Sequence, residues 1–136
     1  MISMWAIIAA AVVALLVIGV AVRLTKRRSP KLDQAAFAER WQTLQKLCGD
    51  KTTWPLAVID GDKLVDDALK KNRYKGKTMG ERLVSAQHEL SSNNTIWFGH
   101  KLRNKLVHEQ YQLSKKDVKD ALLGFLQALR DLGAMK

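Results

Sequence analysis

Residues 2–22, ISMWAIIAAAVVALLVIGVAV, contain no charged side chain, and the six residues that follow them, RLTKRR, are strongly basic. An α-helix rises about 1.5 Å per residue, so that about 20 apolar residues span the roughly 30 Å hydrocarbon core of a bilayer. The beginning of the chain therefore predicts a transmembrane helix at residues 1–22.

A cleaved secretory signal is the alternative interpretation of this segment. Such a signal carries positive charge before a shorter apolar stretch, and it ends in small residues at the cleavage site. Residues 1–4 have no basic side chain, and the small-x-small pattern at residues 19–21 lies directly before the basic cluster. These flanks favour an uncleaved anchor.

The basic residues next to the apolar stretch predict the orientation of the anchor. Lys and Arg remain on the cytoplasmic side of a membrane, and near it they attract anionic headgroups. The membrane-surface basic residues all follow the span: Arg23, Lys26, Arg27, Arg28 and Lys31. We therefore expect a single-pass protein of the cell inner membrane, with its N-terminus outside, a basic juxtamembrane linker at residues 23–31, and a cytoplasmic domain in contact with membrane lipid.

Residues 32–136 have the length of one domain and are too few for two. Of the net charge of +10, half belongs to the linker, and the domain itself has 18 Lys and Arg against 13 Asp and Glu. This balance is compatible with RNA binding and does not require it. The single cysteine excludes an intrachain disulfide and a Cys-based zinc site. The sequence predicts no metal site and no cofactor.

Apolar residues recur at helical spacing throughout the domain, and no segment has the alternation of a strand. The pattern predicts helices at about residues 32–48, 55–72, 78–90, 95–111 and 114–129. Thr78 and Glu81 have the spacing of a capping box at the start of the third of these helices. The predicted fold class is all-α, with one N-terminal transmembrane helix followed by a small antiparallel bundle of about five helices.

The most informative polar residues lie on the helix predicted at residues 95–111. His100, Asn104 and His108 follow one another at intervals of four, so they share a face, to which Tyr111 also belongs. Arg103 falls on the side that we expect to be buried or half-buried. A buried guanidinium must be paired or must line a cleft, because an isolated buried charge is costly.

The segment Arg103-Asn104-Lys-Leu-Val-His108, flanked by Leu102 and Glu109, resembles the Arg-x4–6-His motif of HEPN (higher eukaryotes and prokaryotes nucleotide-binding) domains. Those domains are small helical bundles that usually form homodimers. Many are metal-independent endoribonucleases, in which the motif helices of two subunits form one cleft. The resemblance implies that Arg103 holds the scissile phosphate, that His108 acts as acid and base, and that Asn104 orients both. His100 and Tyr111 are accessory candidates.

The sequence leaves three functions open. The first is a membrane-anchored, cytoplasmic HEPN-like domain that forms a homodimer and binds RNA or cleaves it as a metal-independent ribonuclease. The second is a non-catalytic scaffold for a protein partner, in which Arg103 pairs with a carboxylate such as Asp66, Asp67 or Glu81. The third is a lipid-surface protein that contacts anionic headgroups through a basic turn: Lys70, Lys71, Arg73, Lys75 and Lys77.

Overall fold

In the computed structural model, which describes residues 3–25 and 30–136, the chain is all-helical, with no strand in the described part. The predicted all-α class is confirmed. The helices are α1 (Met4–Thr25), α2 (Gln34–Lys46), α3 (Trp54–Lys71), α4 (Met79–Ser85), α5 (Asn93–His108) and α6 (Lys115–Asp131). Two short 3₁₀ turns, Leu47–Gly49 and Lys51–Thr53, join α2 to α3. The predicted membrane-surface residues Lys26, Arg27 and Arg28 lie outside the described residues.

The first helix is a candidate membrane span. Its segment Met4–Arg23 is long and apolar enough to cross a bilayer, and none of it is buried in the protein. Its large apolar side chains are therefore fully available, and hydrocarbon stabilises such a surface whereas water does not. This distinguishes α1 from the core helix of a soluble protein, which has the same composition but is covered by its neighbours.

The other long helices run alternately up and down, so the bundle has two ends. At one end, the side-chain amide of Gln34 donates to the carbonyl of Gly133 (3.2 Å), and that of Asn72 donates to the carbonyl of Leu132 (2.9 Å). This end contains the start of α2, the ends of α3 and α6, and the connection to α1, and we call it the anchor-proximal end. At the opposite end the indole of Trp54 donates to the carbonyl of Cys48 (2.9 Å).

Phe125 of α6 is the central side chain of the core, and it is fully buried. Its ring occupies space that two glycines leave open: a Cβ atom at Gly61 would lie 2.5 Å from the ring, and one at Gly99 would lie 2.6 Å from it. A third glycine brings α5 and α6 together, because a Cβ atom at Gly124 would lie 2.4 Å from the carbonyl oxygen of Thr95. Helices α3, α5 and α6 therefore approach closely around Phe125.

Two helices, α4 and α5, end three or more residues earlier than the sequence predicts. The capping box of Thr78 and Glu81 is confirmed, but α4 ends at Ser85, and the following residues form tightened turns with i to i−3 bonds such as that from Gln87 N to Val84 O. Helix α5 ends at His108, because Glu109 is extended. Tyr111 therefore lies beyond α5 and does not share its face.

Candidate active site

A solvent-open cleft of about 480 Å³ lies between the middle of α3, the start of α4 and the middle of α5. Seven of its ten lining residues are polar or charged, and three of them are the predicted candidates His100, Arg103 and Asn104. The full lining is Ile59, Asp62, Lys63, Asp66, Thr78, Met79, Gly80, His100, Arg103 and Asn104. The cleft therefore combines cations, hydrogen-bonding groups and an imidazole in one place.

The deepest polar contact of the cleft joins α3 to α5. The Oδ1 atom of Asp62 lies 2.9 Å from Nδ1 of His100, and only 6% and 11% of these two side chains are exposed. Burial raises the pKa of the Asp62 carboxyl, and the hydrogen bond and charge of His100 and the charge of Arg103 partly oppose this rise. When Asp62 is ionised it only accepts hydrogen bonds, and Nδ1 of His100 is then the donor.

This contact leaves the other imidazole nitrogen facing the cleft. A neutral imidazole that donates through Nδ1 has an acceptor at Nε2. Nε2 of His100 lies next to the start of α4, where a Cβ atom at Gly80 would be 3.9 Å from it. The ring of Trp97 meets the imidazole edge-on, with 5.7 Å between ring centroids. Asp62 and Trp97 thus fix the orientation of a histidine whose basic nitrogen is presented to the cleft.

Arg103 lies beside this pair and is not locked into it. Its Nε atom is 3.7 Å from Oδ2 of Asp62, whereas its Nη1 atom donates to Oδ1 of Asn104 at 3.1 Å. The side chain is half-buried, with 35% of it exposed. A guanidinium with one long ionic contact and one neutral partner retains donors for a bound anion.

The three carboxylates that the scaffold hypothesis offered to Arg103 have other partners. Asp66 receives two hydrogen bonds from Arg82, at 2.7 and 2.9 Å, and a further contact from Lys70. Asp67 pairs with Arg40 at 2.7 Å, and Glu81 closes the capping box of α4. None of these three carboxylates pairs with Arg103, but the buried Asp62 lies 3.7 Å from it, so the scaffold hypothesis keeps a carboxylate partner for Arg103.

The balance of charge in the cleft is positive. Its two carboxylates are Asp62 and Asp66, and Asp66 binds two cations from outside the lining, Arg82 and Lys70. With Lys63 and Arg103 of the lining, four cations accompany these two carboxylates even when His100 is neutral. Such a cleft favours an anion over a cation as its ligand.

The remaining sequence candidates lie outside the cleft of a single chain. His108 is the last residue of α5 and is exposed, about 12 Å along the helix from His100. The hydroxyl of Tyr111 donates to Oδ2 of Asp117 at 3.2 Å, and its ring lies 5.2 Å from the ammonium of Lys105. Arg23, in the last turn of α1, and Lys31, just before α2, are both exposed.

Sequence reasoning missed Asp62 as a member of the site. The signal was present, because Asp62 lies on the face of α3 that also carries the buried Val58, Val65 and Leu69. A carboxylate on a buried face needs a partner. Within residues 3–25 and 30–136, no three His, Cys, Asp or Glu side chains come together as potential metal ligands.

Replacing Asp62 with Asn should leave the protein equally stable or more stable at neutral pH. Because the folded-state pKa of Asp62 is raised, the native protein holds its proton to a higher pH than the unfolded chain does, and the free energy of unfolding falls as pH rises from the ordinary value of 3.8 through the raised pKa. Asparagine retains an acceptor for His100 and has no charge to desolvate. Melting temperatures of both proteins, measured from acid to neutral pH, should differ more at neutral pH, and a large destabilisation of Asp62→Asn at neutral pH would contradict this.

Comparison of the chain with protein-family models, with curated proteins and with solved structures gives no match. The candidate site therefore rests on the residues and the geometry of this chain.

Proposed function

We propose that the protein is a membrane-anchored, HEPN-like domain that binds RNA in the cleft of α3, α4 and α5 and cleaves it without a metal ion. The observation that supports this most strongly is the buried Asp62–His100 pair in an open, positively charged cleft. Beside this pair lies Arg103, whose side chain is half-buried and makes only one long ionic contact. The resemblance of the Arg103–His108 segment to HEPN domains supplies the substrate class.

The residues of the cleft suit transfer of a phosphodiester within RNA. Arg103 offers a fork of donors to the phosphate oxygens, and the amide of Asn104 holds that fork in place. Nε2 of His100 accepts the proton of the ribose 2′-hydroxyl, whose oxygen then attacks phosphorus. The imidazolium returns that proton to the departing 5′-oxygen, leaving a 2′,3′-cyclic phosphate and a 5′-hydroxyl. Asp62 stabilises the imidazolium between these two transfers.

The HEPN resemblance gives His108 the acid–base role, and a second copy of the chain would have to bring that side chain to a cleft. We propose a homodimer for this reason, with His108 at the rim of the shared groove and His100 as the acid–base group of each cleft. The proposal further takes α1 as an uncleaved anchor, with the domain in the cytoplasm where it meets RNA.

The scaffold function is the alternative, and the geometry of Arg103 argues against it. A structural arginine is expected to be buried and bound by two short hydrogen bonds, as Arg82 is with Asp66. Arg103 has 35% of its side chain exposed and only a 3.7 Å contact with a carboxylate.

Arg103→Ala tests this proposal. The full chain, held in lipid nanodiscs with a chelator present, should cleave RNA, and Arg103→Ala should reduce cleavage by about 10²–10³-fold, the usual effect of removing one donor that stabilises developing charge. Its melting temperature should change little, since Asp62 keeps His100 as a partner. Arg40→Ala, which removes an arginine outside the cleft, is the matched control and should cleave as the wild type does. A large fall in stability with no cleavage in the wild type would support the scaffold.

A further inference from the structure

We propose that the anchor-proximal end of the bundle is a docking surface for anionic lipid headgroups, so that the domain lies against the membrane in a fixed orientation. This inference rests on the proposed anchor and concerns a surface separate from the cleft. We call this set the headgroup surface: Lys31, Lys70, Lys71, Arg73, Lys75, Arg130 and Lys136.

Contacts between the helix ends place these residues together. The ammonium of Lys71, at the end of α3, lies 5.3 Å from the ring of Phe37 in the first turns of α2. Arg130, at the end of α6, donates from Nε to the carbonyl of Lys136 at 2.8 Å. Lys136 in turn lines a shallow groove with Gln34 of α2. Three helix ends therefore present their basic side chains on one side of the molecule.

The two ends of the bundle differ in charge. The headgroup surface has seven basic residues, of which Lys70 pairs with Asp66, and its other acidic residues are Asp33, Glu89 and Asp131. Of these three, Asp33 accepts a hydrogen bond as the cap of α2, and Asp131 accepts two from Ser91. The opposite end has a smaller positive excess, with Lys46, Lys51, Lys105, Lys115, Lys116 and Lys119 against Asp50, Glu109, Asp117 and Asp120.

The length of the linker keeps the headgroup surface near the bilayer. Leu32 is buried in the core, so the chain is fixed to the bundle directly after Pro30. Helix α1 ends at Thr25, and the five steps from there to Pro30 reach at most about 18 Å. This reach is about twice the Debye screening length, which is roughly 8 Å at physiological salt. Anionic headgroups are therefore the polyanion that this end of the protein meets at the highest local concentration.

Lysine footprinting of the full chain tests the inference. The wild type is placed in nanodiscs of phosphatidylcholine alone or mixed with phosphatidylglycerol, lysines are acetylated, and the rate at each position is read by mass spectrometry. In the anionic discs, acetylation of Lys71, Lys75 and Lys136 should slow several-fold and should recover at about 1 M salt, where the screening length is about 3 Å. Lys51 and Lys115, at the opposite end, should react equally in both discs.

Variants in which lysines are replaced by glutamine provide a second test of the headgroup surface. Lys71→Gln with Lys136→Gln should remove most of the several-fold protection of the remaining Lys75, since each basic residue near the membrane strengthens attraction roughly fivefold. Lys51→Gln with Lys115→Gln removes the same charge from the opposite end and should leave protection unchanged. Both double variants should cleave RNA as the wild type does, which separates this inference from the proposed catalysis.

Four outcomes would overturn the inference. The first is equal acetylation in both kinds of disc, and the second is equal protection at both ends of the bundle. The third is protection of Lys71, Lys75 and Lys136 by added RNA in phosphatidylcholine discs without any effect of phosphatidylglycerol, which would assign the surface to nucleic acid. A chain that fails to remain in the discs would overturn it as well, because the anchor would then be absent.

Discussion

His100→Asn is expected to reduce RNA cleavage by about 10²–10⁴-fold, the contribution of a well-placed acid–base group. Asparagine retains a donor for Oδ1 of Asp62, which accepts from Nδ1 of His100 at 2.9 Å, so that the buried carboxylate keeps its partner and the fold should be preserved. What the variant loses is the nitrogen that faces the cleft. Cleavage rates in a chelator and melting temperatures, measured on the full chain in nanodiscs, give both quantities.

The other two histidines are the controls for this prediction. His88 is exposed and lies outside the cleft, so His88→Asn should have no effect. His108→Asn should reduce cleavage by much less than His100→Asn does if His108 only borders a shared groove. If His108→Asn instead abolishes cleavage and His100→Asn does not, the acid–base role belongs to His108, as the HEPN resemblance alone implies, and the assignment to His100 is wrong.

Phe125→Ala is expected to lower the free energy of unfolding by about 3–5 kcal/mol. The ring is fully buried between Gly61 and Gly99, and neither glycine has a side chain that moves into the space left behind. The loss should therefore lie in the upper part of that range. Denaturant unfolding followed by circular dichroism measures it.

Leu123→Ala on the same helix is the matched control. Leu123 is 55% exposed, so its truncation should change stability by no more than about 0.5 kcal/mol. Similar effects of the two substitutions would show that α6 does not pack on α3 and α5 through Phe125.

The helices could be predicted from the sequence because their apolar residues repeat at helical spacing. The face that α5 buries was predicted less well. Helical spacing places Phe98, Leu102 and Leu106 on one apolar stripe of α5, with Ile96 and Val107 at its edge, but Phe98 and Val107 are 40% and 49% exposed. Ile96, Gly99, His100 and Leu102 are the buried residues of α5.

The reason for this difference is a glycine. Gly99 has no side chain, so the Phe125 ring of α6 packs directly against it. The face of α5 around Gly99 therefore points toward the core. A pattern of apolar residues gives glycine little weight, so it does not predict a close approach of two helices at a glycine. The same orientation of α5 carries His100 inward to Asp62, whereas the HEPN resemblance gives the acid–base role to His108.

The candidate site could be predicted only in part from the sequence, and the reason again is the packing of the helices. Arg103 and Asn104 lie next to each other in the chain, and their common location follows from the motif. Asp62 is 38 residues before His100, and only the packing of α3 against α5 brings the two together. An aspartate on the apolar face of a predicted helix indicates that its carboxylate has a partner, but it does not identify that partner.

Cleavage of a DNA strand that contains a single ribonucleotide tests the central claim most directly, because His100 is proposed to take its proton from a 2′-hydroxyl. With a chelator present, the full chain in nanodiscs should cut only on the 3′ side of the ribonucleotide and leave a 2′,3′-cyclic phosphate, and His100→Asn should fail to do so. No cut at the ribonucleotide, or the same cut by the wild type and by His100→Asn, would contradict the account.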